Sequence, residues 1–306
     1  MKNTKISLIL MASILIMSLL LFGCSDDRSD TISASGTTKS TSQVLTAREI
    51  AERLISTYPE LTSFKTSATI DISMERTGDD QAGKMALLLN MDGSINTSDK
   101  EMVMDIVTNM DINLMSIQNM MTKIYMIDGW TYYGVNIYGE DERWVKTDNS
   151  DITELFLNQQ NKLTSQLDLI KYATTINLSG SEILDGIECY VLHIEPDINY
   201  LFDWMKEQTQ LEFNEEEGTD NNFECKYLLF NIWVAKDTFR PVKQVLNANL
   251  EISDPDTVSS NQQNITINME LVAKFSDYGV PFLVQIPYNA LNAEEASLDI
   301  LNYINN

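Results

Sequence analysis

Apolar and polar residues change their spacing twice along this chain, and the two spacings predict different elements. Ile50, Ala51, Leu54, Ile55 and Tyr58 recur at helical intervals behind Thr46-Ala47-Arg48-Glu49, a capping box whose hydroxyl and carboxylate satisfy the first free amides of a helix. Pro59 ends that helix. From Ala68 onward the period falls to two. Ala68, Ile70, Ile72 and Met74 alternate with Ser67, Thr69, Asp71 and Ser73, and Met85, Leu87, Leu89 and Met91 repeat the pattern. A third run places Met102, Met104, Ile106, Met110, Ile112 and Leu114 against Glu101, Asp105, Asn109, Asp111 and Asn113. Alternation with one polar face predicts half-buried antiparallel strands.

Further strands are expected at 122–127, 130–137, 142–147, 176–184, 187–195, 223–236, 239–253 and 263–276. Asp128-Gly129 and Asp185-Gly186 read as tight hairpin turns between neighbouring runs. Helices are expected at 153–173, 197–209 and 293–304, with an acidic loop through Glu215, Glu216, Glu217 and Asp220. About ten long strands with a single apolar face form a sheet wide enough to curl. The predicted fold class is α+β: a large curved antiparallel β-sheet, an open half-barrel, with helices packed in or across its concave face. A closed barrel or a two-sheet sandwich is the alternative.

The N-terminus adds a compartment. Lys2 and Lys5 precede an uncharged apolar run from Ile6 to Phe22, which stops at Leu21-Phe22-Gly23-Cys24. A charged start, an apolar middle and a small-residue stop make an export signal, and an uncleaved membrane anchor is the competing reading of the same run. Leu21, Gly23 and Cys24 resemble the bacterial lipobox, in which the cysteine thiol receives a diacylglyceryl group and becomes the first mature residue; Phe22 is bulkier than that pattern prefers. Residues 1–23 are therefore expected to be a lipoprotein signal peptide. Cys24 is the expected lipidation site, carrying acyl chains such as palmitate, and 24–43 a flexible polar tether. Residues 44–306 form one folded domain, held by the lipid at the cell membrane on its extracytoplasmic face.

Charge narrows the partners. Removing residues 1–23 takes away two lysines and no acidic group, leaving 19 basic against 45 acidic residues and a net charge of −26. Such a chain repels phosphate backbones, so nucleic acid is excluded as a partner, and anionic headgroups are repelled likewise. Membrane contact then runs through Cys24.

Candidate chemistry is sparse. No glycine-rich phosphate loop, nucleophile elbow or Cys/His metal cluster occurs in the sequence. His193, the single histidine, has no recognisable catalytic partner beside it and reads as structural. The acidic run at 215–220 lacks the alternating ligand spacing of a calcium loop and reads as solvated. Neither a cofactor nor a metal is expected, and the chain reads as a non-enzyme. With Cys24 lipidated, Cys189 and Cys225 remain as a candidate disulfide in an oxidising compartment, or as two buried thiols. Fifteen methionines are present, most of them between 74 and 126 on strand faces shared with Leu and Ile. Thioethers suit a surface that adapts to variable ligands, and equally an ordinary core.

Signal, tether, one helix and long strands lead to Ile232-Trp233-Val234-Ala235-Lys236-Asp237-Thr238-Phe239-Arg240-Pro241-Val242-Lys243. This segment resembles the hairpin of LolA-like and LppX/LprG-like lipoproteins, and Phe275-Ser276-Asp277-Tyr278-Gly279-Val280-Pro281 is similar to their final strand and exit. The resemblance implies a curved sheet whose concave face holds acyl chains of a lipid or lipoprotein. The candidate ligand-facing residues are then Met85, Leu87, Leu89, Met91, Met102, Met104 and Ile106. A sensory or structural module with a filled core and a protein partner is the second expectation. An envelope hydrolase built on strand carboxylates is the third.

Overall fold

The computed structural model describes residues 45–77, 83–113, 115–136, 141–148, 170–198, 222–253 and 264–295. Cys24, the tether, the acidic run at 215–220 and most of the expected helices at 153–173, 197–209 and 293–304 lie outside the described residues.

Helix α1 spans Ala47–Thr57 and starts as its sequence dictates: the Glu49 amide donates to the Thr46 hydroxyl while the Thr46 amide donates to the Glu49 carboxylate at 2.7 Å. Ile50, Ala51 and Leu54 are buried, and a 3₁₀ turn at Tyr58–Glu60 ends the helix at its proline. Eleven strands follow: β1 Ser63–Thr77, β2 Gly83–Asn96, β3 Glu101–Ile112, β4 Met115–Ile127, β5 Trp130–Asn136, β6 Arg143–Asp148, β7 Thr175–Leu184, β8 Ile187–Glu195, β9 Asn222–Ala235, β10 Pro241–Ser253 and β11 Asn264–Ser276. A short helix α2, Tyr288–Leu291, and strand β12, Glu294–Glu295, close the list.

All twelve strands join one open sheet in the order β12-β6-β5-β4-β3-β2-β1-β11-β10-β9-β8-β7. Two meanders meet at the β1–β11 pair, where Ile70 stands opposite Leu271 and, on the other side, Leu89. Every pairing is antiparallel except β12 with β6. Because side chains alternate between faces, the in-phase positions of β1, β2, β3, β4, β9, β10 and β11 all turn toward one side. That inner face and the buried face of α1 form a single apolar cluster.

The hairpin turns follow from their residues. Asp128 and Gly129 have φ of 52° and 78°, and Asp185 and Gly186 have 50° and 84°, the left-handed pair that Asp-Gly supplies with little strain. Strand β4 begins at Met115, earlier than the expected 122, because a bulge opposite Thr108 and Met110 interrupts the alternation. Asn119 takes the positive φ of that bulge, and its amide donates to the Asn109 side chain at 2.7 Å.

Two expectations are corrected. Cys189 and Cys225 are both free. Cys189 stands opposite Ala235, ten residues along β9 from Cys225. At about 3.3 Å per residue that is about 30 Å, against about 7 Å for the widest bridged pair. Of the helix expected at 293–304 only 293–295 are described, and there Glu294–Glu295 are extended because they pair with Val145 and Lys146; a separate short helix precedes them at Tyr288–Leu291.

Two buried polar groups, the Thr66 hydroxyl and the Trp144 indole nitrogen, have no hydrogen-bond partner among the described residues. The Thr66 hydroxyl is enclosed on the inner face opposite Gly93 and Phe275, and no hydrogen bond reaches it among the described residues. An orphaned buried hydroxyl costs about 1–3 kcal/mol, which a methyl group of the same shape does not incur. Thr66→Val is expected to raise the thermal midpoint by about 2–4 °C; a lowered midpoint in a calorimetric scan would show that the hydroxyl is satisfied.

Candidate functional site

The inner face is closed at one end and opens toward the other. Along β1 it runs from Phe64, Thr66, Ala68, Ile70 and Ile72, all buried, to half-buried Met74 and Arg76. On β11 the order is Phe275, Ala273 and Leu271 buried, then Met269, Ile267 and Ile265 half-buried. Strand β10 passes likewise from Gln244, Leu246 and Ala248 to half-buried Leu250, and β3 ends in half-buried Met110 and Ile112. Register carries the same ends together: Met74 faces Ile267, Ile267 faces Leu250, and Met85 faces Ile112.

The closed end is built from aromatic and polar groups that lock into one another. Phe64 packs edge-on against Phe275 at 6.2 Å and against Tyr278 at 6.1 Å. Tyr278 donates its hydroxyl to the Pro241 carbonyl at 2.5 Å, and Gln244 donates its amide to the Tyr58 hydroxyl at 3.2 Å. Phe239, held at φ 55° in the β9–β10 turn, stacks on Tyr190 and lies under the Arg53 guanidinium of α1. The Lys236–Arg240 turn singled out in the sequence is therefore the piece that docks the helix onto the sheet. Its signal in the sequence was the aromatic residue in an acidic turn.

Burial pushes four tyrosines up, Tyr125 among them. Tyr133 reaches about 12, Tyr58 is raised although the Gln244 hydrogen bond partly offsets it, and Tyr278 lies well above the ordinary range. The folded state therefore holds these protons more tightly than the unfolded chain. Their contribution is full below the unfolded value of about 10 and is lost as pH rises through the folded values. Denaturation midpoints are expected to fall as pH rises from about 10 to about 12, less steeply for Tyr133→Phe; equal slopes in wild type and variant would remove Tyr133 from the account.

The structure gathers the candidate ligand-facing residues onto the inner face, Met85 beside Met74 and Ile112 at its half-buried end and the others deeper. Met85, Leu87, Leu89, Met91, Met102 and Met104 are between 2% and 8% exposed, and Ile106 is half-buried against them. Gly93 makes room here: a Cβ on it would meet the Val103 carbonyl and the Met104 sulfur, whose side chain lies across the glycine. The accessible apolar side chains are instead Met74, Met110, Ile112, Leu250, Ile267 and Met269. Periodicity puts all of these on the apolar face. Which end α1 and the aromatic plug would close had no local signal.

His193 has the partners of a structural histidine: its Nδ1 lies 2.9 Å from the Asn231 side-chain oxygen Oδ1 and its Nε2 3.9 Å from a Glu195 carboxylate oxygen. Among the described residues no three Cys, His, Asp or Glu side chains gather as metal ligands, and no helix is long and apolar enough to cross a membrane.

A family model described as "Family of unknown function (DUF6612)" matches residues 46–295. The chain belongs to that family. Among curated proteins none matches it in sequence. Among solved structures this DUF6612 chain is similar to LprF from Mycobacterium bovis, with 13% identity, 79% of this chain and 96% of that chain covered, and a TM-score of 0.42. It is also similar to the lipoprotein LppX from Mycobacterium tuberculosis, with 12% identity, coverage of 78% and 98%, and a TM-score of 0.35. A domain named for outer membrane lipoprotein sorting from Vibrio parahaemolyticus shares 10% identity, with coverage of 80% and 95% and a TM-score of 0.22.

Proposed function

We propose that this protein is a lipid-anchored, extracytoplasmic lipoprotein that binds an apolar ligand, the acyl chains of a lipid or lipoprotein, on the inner face of its sheet without a chemical step. What supports the reading is the one-ended closure of that face. An apolar surface sealed by α1 and the Phe64–Phe275–Tyr278 plug, yet left half-buried at Met110, Ile112, Ile267 and Met269, has the form of a hydrophobic site entered from one end. Binding is driven by burial of apolar area at about 25 cal/mol per Å². Cys24 supplies the tether to the membrane, so the reach of residues 24–43 limits any movement of the ligand.

Native mass spectrometry with lipid extraction, on residues 25–306 produced with access to bacterial lipids, tests this reading. A stoichiometric lipid is expected. The low exposure of Met85 to Met104 favours a second reading, a sensory or structural module whose core is filled by its own side chains. A protein that purifies without lipid and takes up none when it is offered would establish that second reading instead. Lipidation has its own check: labelled palmitate is expected on the full chain and absent from Cys24→Ser.

A further inference from the structure

The outer face of the same sheet carries a groove that the apolar-ligand reading does not use. It has a volume of about 550 Å³, within the range of small-ligand sites, and crosses β10, β11, β1, β2 and β3 beneath the tip of the β7–β8 hairpin. A hollow of about 210 Å³ continues it and shares Ser67, Asp92 and Lys274 with it.

Its charges are sorted by sign. One cross-strand row reads Lys243, Lys274, Ser67, Asp92, Asp105 from β10 to β3, and on β4 it reaches Lys123, which stands opposite Asp105 and pairs with Glu142 at 2.6 Å. Lys243 therefore stands directly opposite Lys274, and Asp92 directly opposite Asp105. Like charges facing each other across a strand pair destabilise a sheet, and exchanging one lysine with one aspartate would turn both repulsions into attractions. The side chains around Lys274 are also held apart. Lys65 is drawn to Asp277 at 2.6 Å, and Lys243 lies over the Trp233 ring at 4.5 Å. Lys274 itself has no anionic partner, nor Asp92 a cationic one, among the described residues. In a chain of net charge −24, this groove is charge-balanced: Lys65, Lys243 and Lys274 share its lining with Asp92, Asp105 and Asp185.

We propose that this groove binds a small zwitterion: a phosphate ester that also carries an ammonium group. Lysines are point-charge donors that suit the three oxygens of a phosphate better than the planar fork of a carboxylate. The hydroxyls of Ser67, Ser94 and Ser276 line the same end and add donors. Two strand spacings away, about 10 Å along the sheet, Asp92 takes the ammonium, since Asp105 already faces Lys123. The repulsion held in the empty groove is relieved when each end receives its counter-charge.

The test is calorimetric titration of the full-length protein in detergent micelles with O-phosphoethanolamine, and separately with inorganic phosphate. Phosphoethanolamine is expected to bind, and to bind at least about tenfold more weakly to Lys274→Gln and to Asp92→Asn. Phosphate alone is expected to bind more weakly than phosphoethanolamine and to respond to Lys274→Gln only. Lysophosphatidylethanolamine against lysophosphatidylglycerol in the same micelles identifies the source. Preference for the ethanolamine headgroup that Lys274→Gln removes assigns the site to a lipid headgroup, and binding of free phosphoethanolamine alone assigns it to a soluble ester. The ligand-free Lys274→Gln protein is expected to melt at a higher temperature than wild type, since one repulsion is gone. Absence of phosphoethanolamine binding in both forms, equal affinity for phosphate with no effect of Asp92→Asn, or a lowered melting temperature would each overturn the proposal.

Discussion

Met110→Lys and Ile267→Lys are each expected to reduce the lipid that co-purifies with the protein by at least about tenfold, while shifting the thermal midpoint by only a few degrees. Both side chains are half-buried at the open end of the inner face. A lysine there can lay its stem along the apolar wall and keep its ammonium in water, so the fold survives. An acyl chain entering past it would have to strip that ammonium of water or leave its own methylenes exposed, at about 0.8 kcal/mol for each one left out. Leu89→Lys is the contrasting case. Leu89 is 7% exposed and lies between Ile70 and Thr108, so its charge has no route to solvent and the cost falls on folding, at several kcal/mol. Lipid occupancy by native mass spectrometry, read beside the melting temperature, separates the two. Unchanged occupancy in both Met110→Lys and Ile267→Lys would show that no ligand enters at that end.

Gly134→Val is expected to lower stability by about 2–4 kcal/mol and to release the C-terminal segment from the sheet. Gly134 stands opposite Trp144 on the outer face of β5 and β6. A Cβ at Gly134 would fall 2.6 Å from two carbons of the indole ring, so the ring must leave. It has nowhere equivalent to go. Trp144 is packed with Tyr132, Ala290 and Ala293 and lies 5.8 Å from Tyr125, and this cluster seats α2 and brings Glu294 and Glu295 alongside β6. The indole fills the space that the glycine leaves, so glycine and tryptophan act as one cross-strand unit. Denaturant unfolding followed by tryptophan emission would show both effects, with a red-shifted native spectrum. A native spectrum and midpoint equal to wild type would show that the sheet yields at this pair without loss.

These two positions mark the boundary of what can be read from the chain alone. Gly134 is one glycine in an aromatic strand, and nothing near it in sequence announces Trp144, which reaches it only through the β5–β6 register. Met110, by contrast, is placed on the apolar face by its period in β3. What its period cannot say is whether that stretch of the face is covered. The bulge at Asn119 hid the first half of β4 for the same reason: one extra residue cancels the alternation on which the reading depends.

Local chemistry, then, determined the elements of this protein. The capping box at Thr46 starts α1, the period-two runs set β1, β2 and β3, and Asp128-Gly129 and Asp185-Gly186 make the β4–β5 and β7–β8 turns, because each of these depends on residues a few positions apart. Tertiary structure decided what those elements enclose. Joining β1 to β11 brings residues 63–77 beside 264–276. That pairing closes one end of the apolar face, leaves the other half-buried and brings the lysines and aspartates of the outer side into one row, while the β8–β9 register separates Cys189 from Cys225. All four depend on register between strands far apart in the chain, and register is an outcome of packing the whole sheet at once.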